Sequence, residues 1–158
     1  MTVSRRSMLG LALTTVVAAA LAFVALPRGL AAETVAPVFA EDGVAIRGTD
    51  PVAYFTEGRV RQGDPAIHAD WMGARWLFAS DEHRAMFVAD PAAFAPQFGG
   101  YCAWAVAEGY TAPIDPEAWR IVDGKLYLNY SRSIQRKWER DVPGNIQRAN
   151  SNWPGLNG

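Results

Sequence analysis

The longest apolar run in the chain lies at its start, where residues 8–26 carry no charge and lead into Pro27-Arg28-Gly29 and Leu30-Ala31-Ala32. Beyond it the pattern breaks into short segments. Val44-Ala45-Ile46 reads as a strand, 47–51 as a turn, and Val52-Ala53-Tyr54-Phe55 as extended chain, with 58–65 a loop. Ala69-Asp70-Trp71 and Arg75-Trp76-Leu77-Phe78 flank Met72-Gly73-Ala74, the pattern of a β-hairpin whose tight connection needs glycine. Ser80 ahead of Asp81, Glu82 and His83 marks a helix start, since serine caps and acidic residues suit the positive end of the helix dipole. That helix turns Met86 and Phe87 inward and stops at Asp90-Pro91. A short turn over 92–95 then carries Phe94 to the core.

Gly99-Gly100 interrupts the chain, and 101–108 predicts an apolar helix closed by Gly109. Segments 119–122 and 125–130 flank Asp123-Gly124, the strongest hairpin signal present. Ser131 caps a further helix with Ile134 and Trp138 on one face and Arg132, Arg136, Lys137 and Arg140 on the others. Pro143-Gly144 ends it, 145–150 forms one more short helix, and 145–158 as a whole reads as an exposed tail. The expected fold is a small single α+β domain with two β-hairpins and three to four short helices.

Arg5-Arg6 placed directly before the apolar run is the pattern of a bacterial twin-arginine export signal. The expected division is a signal peptide over 1–31, a linker over 32–43 and a domain over 44–158. The twin-arginine translocase is the partner in export, and the location is periplasmic or secreted. The competing reading is an uncleaved anchor, because 8–26 is long enough to cross a bilayer core; Pro27 and Gly29, just ahead of the small residues, favour cleavage.

Taking Arg5, Arg6 and Arg28 from the 15 basic residues leaves 12 against 16 acidic ones, a net charge of −4 for the chain after the signal. That balance opposes binding to nucleic acid or anionic lipid. Cys102 is the one cysteine, so no intramolecular disulfide can form and the fold stands on packing.

Asp50-Pro51-Val52, the hairpin ending Trp76-Leu77-Phe78-Ala79-Ser80, the helix reaching Phe87, and Asp90-Pro91 with Phe94 together resemble the YHS-domain family. The likeness is greatest to an exported branch whose members continue with stretches similar to residues 95–103 and 123–130. The resemblance implies the family fold. It also implies metal-binding cysteines after the Asp-Pro-Val and at the hairpin end, where this chain has Ala53 and Ala79, and an alanine methyl ligates nothing.

The candidate chemistry centres on Cys102. At a helix start the dipole lowers a thiol pKa, which suits a metal ligand or reactive thiol; the alternative is a small buried hydrophobe. His68, four residues before Met72, joins Cys102 as a soft or borderline ligand set favouring copper over zinc. His83 reads as a solvated helix-surface side chain. Asp50 closes a turn before Pro51. Tyr54, Tyr101, Lys125 and Asn129, with Asp50, form a candidate polar pocket around Cys102, with Tyr130 as a further member. No Ser-His-Asp signature, phosphate loop, Cys-x-x-Cys or His-x-x-x-His occurs. The expected function is a non-enzymatic periplasmic binding domain handling a transition metal, copper or zinc. The alternatives are an interaction module docking a periplasmic protein and, ranked below it, a thiol enzyme using Cys102 with His68 as base.

Overall fold

Tight two-residue turns set the strand pairing of residues 35–158, the part of the chain that the computed structural model describes. Strands β1 (Ala40–Glu41) and β2 (Val44–Ala45) pair around Asp42-Gly43, β3 (Asp64–Trp71) and β4 (Ala74–Phe78) around Met72-Gly73, and β5 (Asp115–Val122) and β6 (Lys125–Asn129) around Asp123-Gly124. In each turn both residues take positive φ, 50° and 80°, 50° and 78°, and 50° and 72° in that order. This is the backbone twist that matches a right-twisted hairpin, and it calls for glycine at the second position. β2 runs parallel to β4 at Val44 and Arg75, giving a sheet ordered β1-β2-β4-β3, while β5 and β6 form a separate two-stranded sheet.

The helices are α1 (Ala53–Thr56), α2 (Asp81–Ala89), α3 (Pro91–Phe94), α4 (Ala103–Ala107), α5 (Arg132–Trp138) and α6 (Val142–Asn157). Two of the sequence-predicted caps are in place: Ser80 accepts the N–H of His83 and Ser131 that of Ile134. Asp90 caps α3 by accepting the N–H of Ala93. Both predicted hairpins and the mixed α+β class are present.

Four expectations about elements need correction. Residues 52–55 are helical rather than extended, because the Asp50 carboxylate accepts the N–H groups of Val52 (2.9 Å) and Ala53 (3.4 Å) and bends the chain into α1. β3 begins at Asp64, inside the predicted loop, with a register shift between Asp64 and His68. The segment expected to be linker contributes buried Val38 and Phe39 and all of β1. Pro143 does not end the helical region; it sits in the first turn of the 16-residue α6, where a missing N–H costs nothing.

α6 is therefore no loose tail. It packs on α4, burying Asn145 and Ala149, and the Asn152 side chain donates to the carbonyls of Val106 (2.9 Å) and Ala107 (3.1 Å), satisfying the end of α4. One core gathers Ile46, Val52, Tyr54, Trp76, Phe78, Phe87, Leu126 and Leu128; a second gathers Phe98, Ala103, Val106, Tyr127, Trp138 and Ala149. Trp76, Phe78 and Phe87 stack with ring centroids 5.2 Å apart in each pair with Phe87, at tilted angles that suit their quadrupoles. The predicted anchor over 8–26 and the pair Arg5-Arg6 lie outside the described residues; within those residues no helix is long and apolar enough to cross a membrane.

Gly99 is the tightest approach between segments. Its φ is 60°, and a Cβ there would strike the carbonyl oxygen of Pro37, the strand-entry segment that Phe39 ties to Gly99 by a 2.9 Å backbone bond. Gly124, by contrast, has φ 72° and open space around it. Gly124→Ala therefore costs only turn strain, about 1–2 kcal/mol. Gly99→Ala adds a backbone collision and costs on the order of 3 kcal/mol or more. Denaturant unfolding of the two variants checks the order; equal losses contradict it.

Candidate functional site

Cys102 is the residue just ahead of α4 and is 1 % exposed. Its position comes from both flanks: its N–H donates to the Ala112 carbonyl, and its sulfur faces the end of β6. There Sγ accepts the Tyr130 N–H at 3.2 Å and donates toward Asn129 Oδ1 at 3.8 Å, while Asn129 Oδ1 also accepts the Trp104 N–H at 3.2 Å. Burial pushes the thiol pKa up, and the N–H groups of Ala105, Tyr130 and Trp104 that face the sulfur oppose that rise without cancelling it. The expected low-pKa thiolate is thus corrected: α4 has only five residues, and loss of solvation outweighs its amides.

The sulfur nevertheless borders a pocket of about 200 Å³, lined also by Trp104, Ala105, Tyr110, Ala112, Tyr130 and Ile134. Tyr110 and Tyr130 stand at 52 % and 56 % exposure on this pocket. Of the six residues predicted to surround Cys102, Asn129 and Tyr130 make hydrogen bonds with its sulfur, and Tyr130 also lines the pocket. The Tyr54 hydroxyl bonds the Pro116 carbonyl at 3.0 Å, and burial pushes its pKa far up despite the Thr49 hydroxyl. Tyr101 stacks with Phe39 and Trp153, and Lys125 sits exposed beyond the Asp123-Gly124 turn. Sequence reading missed Trp104, Tyr110, Ala112 and Ile134. Gly109 ahead of Tyr110 was the available signal, since a helix stop there folds the next segment back on Cys102.

His68 is on β3, with Nδ1 3.0 Å from the Pro65 carbonyl, and Met72 is in the β3–β4 turn at 48 % exposure. Neither lines the Cys102 pocket. Among the described residues no group of three or more His, Cys, Asp or Glu side chains is placed to hold a metal ion.

A second polar centre was not foreseen. Asp50 is fully buried; its Oδ1 takes Val52 and Ala53, and its Oδ2 takes the Ala79 N–H at 2.8 Å and lies 2.6 Å from His83 Nδ1. His83 is buried rather than solvated, because the first turn of α2 faces this carboxylate. Its Nε2 is 3.3 Å from Thr56 Oγ1 and 3.9 Å from Glu57 Oε1. Some burial favours a raised Glu57 pKa, but Arg61 and Arg59 outweigh it and hold that carboxyl low. The Thr56 hydroxyl is also 3.1 Å from the Val52 carbonyl, so Asp50, His83 and Thr56 form a closed chain of hydrogen bonds, none of whose members lines the Cys102 pocket.

Asp50→Ala removes the acceptor of three backbone N–H groups at once and is expected to cost about 3–5 kcal/mol. His83→Asn leaves those three bonds and costs about 1–2 kcal/mol. Urea titration of both variants measures this, and a His83 loss equal to that of Asp50 contradicts the assignment of Asp50 as the centre.

No family model matches this chain, and neither the curated proteins nor the solved structures contain a match to it.

Proposed function

We propose that this chain is an exported, YHS-like binding domain whose ligand site is the Cys102 pocket. The observation that carries the reading is a recess of about 200 Å³ that has a protonated, immobilised thiol at its base and two half-exposed tyrosines on its walls. Apolar walls with a few fixed polar groups are the usual make-up of a small-molecule site. The ligand class that fits is a small, mostly apolar, planar molecule that stacks on Trp104, Tyr110 or Tyr130 and sets a ring edge against the polarisable sulfur.

The family likeness gains support from one convergence. Ala53 and Ala79, at the positions where the resemblance implies a shared metal site, both donate their N–H to the Asp50 carboxylate. In this chain the Asp50–His83 pair occupies that junction. The copper or zinc reading has less support, since Cys102 is the sole soft ligand on its pocket and one thiol does not make a site. The thiol-enzyme reading has least: His68 lies away from the pocket, His83 is committed to Asp50, and burial disfavours the thiolate. Exposed Tyr110 and Tyr130 favour the interaction module as second reading, with a periplasmic protein resting on the pocket rim.

Export is proposed from Arg5 and Arg6. Replacing both by lysine should leave unprocessed precursor in the cytoplasm, and normal periplasmic accumulation contradicts the twin-arginine route.

The pocket is tested by filling it and by titrating its thiol. Ala112→Leu should abolish binding of small aromatic probes, seen as loss of Tyr110 and Tyr130 amide shifts, while leaving the fold intact. Undiminished probe binding contradicts the site. Alkylation of native Cys102 should be slow at neutral pH and accelerate only above the ordinary thiol range. The folded thiol keeps its proton to higher pH than the unfolded one, so proton release favours unfolding. Stability should therefore decline as pH climbs from about 8 to 10, with a shallower decline in Cys102→Ala.

A further inference from the structure

The hydrogen-bond chain of Asp50, His83 and Thr56 runs from the interior to the surface. Asp50 is fully buried, the His83 side chain is 11 % exposed, and Thr56 is exposed at the end of α1. None of the three lines the Cys102 pocket, so their chemistry is independent of the function proposed for that pocket. Positions 50, 56 and 83 form no local motif, and only the fold brings them together.

The partners fix which way each proton points. The Asp50 carboxylate accepts backbone N–H groups on both oxygens, from Val52 and Ala53 on Oδ1 and from Ala79 on Oδ2. Acting as acceptor again, Oδ2 takes the Nδ1–H of His83 at 2.6 Å. In the neutral ring this leaves the lone pair on Nε2, which lies 3.3 Å from Thr56 Oγ1. The hydroxyl has one other acceptor in reach, the Val52 carbonyl at 3.1 Å, and that oxygen already takes the N–H groups of Phe55 and Thr56 at 3.0 Å each. A carbonyl has two lone pairs, so Nε2 is the acceptor left for the hydroxyl proton. Glu57 Oε1, 3.9 Å from Nε2, does not draw the ring away, because Arg61 and Arg59 hold that carboxylate at 2.9 and 2.8 Å.

A hydroxyl bonded to an imidazole whose other nitrogen is fixed by a third group is the arrangement that activates an alcohol as a nucleophile, and 3.3 Å falls in the looser range seen before a reactant is bound. We propose that Thr56 is a covalent acylation site, with His83 as its general base and Asp50 as the residue that positions His83. The co-reactant is an activated acyl ester. The bond from Thr56 Oγ1 to the acyl carbon forms as the bond from that carbon to the leaving oxygen breaks. The hydroxyl proton passes to His83 Nε2 and from there to the leaving alkoxide or phenoxide, so the products are an ester on Thr56 and a free alcohol or phenol.

The probe is p-nitrophenyl acetate, and peptide mass mapping of the purified protein is the readout. Thr56 should take up one acetyl group about a hundredfold faster in the native protein than in the urea-unfolded chain. Hydroxylamine should remove that ester and leave any acetyl on Lys125 or Lys137, which is an amide. Thr56→Val, close in shape, should abolish this acetyl alone. His83→Asn should slow labelling of Thr56 by about a hundredfold with the labelling of Lys125 and Lys137 unchanged. Nitrogen NMR at mildly alkaline pH should find the ring proton of His83 on Nδ1, and Asp50→Asn should move it to Nε2 and lower the labelling of Thr56. Where Asp50→Asn fails to fold, the tautomer of the unsubstituted protein and the His83 variant decide. Labelling of Thr56 no faster than in the unfolded chain, undiminished labelling in His83→Asn, or a proton on Nε2 alone in the unsubstituted protein overturns the proposal.

Discussion

The buried Asp50 carboxylate ties three segments of this domain to one point. It has no exposed surface and, among the described residues, no arginine or lysine partner; instead it gathers the N–H groups of Val52, Ala53 and Ala79 and the ring of His83. These donors come from three places: the start of α1, the residue after β4 and the first turn of α2. Each could find another acceptor in the unfolded chain, in water. In the folded one they have Asp50 alone, so the carboxylate fixes how the helix preceding β3 meets the helix after β4. The aromatic stack of Trp76, Phe78 and Phe87 sits on β4 and α2, and its tight geometry depends on that fixed angle.

The Cys102 side of the domain is organised differently. Here the constraint is the end of β6, where Asn129 and Tyr130 meet α4 through the sulfur and the Trp104 amide. The lone thiol spends its hydrogen-bonding capacity on the fold, and burial keeps it protonated. That leaves it a packing surface with a polarisable edge rather than a nucleophile. The same arrangement opens a recess beside it, because Gly109 turns the chain and Tyr110 swings out past 50 % exposure instead of filling the space. A copper or zinc site would need a second soft ligand brought to this recess, and His68 is tied to the Pro65 carbonyl on β3 while Met72 sits half exposed in the β3–β4 turn.

Local chemistry in the sequence was readable wherever one signal decided the outcome. Met72-Gly73 and Asp123-Gly124 made hairpins, and Ser80 and Ser131 capped helices, because each choice is settled within about four residues. Asp42-Gly43 carries the same turn signal but closes a short stretch that reads as linker, with Pro37 inside it. Residues 52–55 look extended by composition and are turned helical by a carboxylate two residues upstream. Pro143 and Pro154 argue against a long final helix; the first falls where no N–H is needed, and tertiary packing on α4 carries the helix through the second. The site was the least legible part. Asp50 and His83 are 33 positions apart, and nothing local in a helix-start histidine announces a buried partner. Cys102 stands out in the sequence as the centre of interest, but most of its neighbours come from later elements whose packing no spacing encodes.

If Asp50 is the point where the domain closes, native-state hydrogen exchange should register it directly. The amides of Val52 and Ala79, which donate to that carboxylate, should exchange through global unfolding alone, with the same free energy as the core amides of β4. Fast exchange of either one, with β4 still protected, would show that the carboxylate opens locally and is not what holds the segments together.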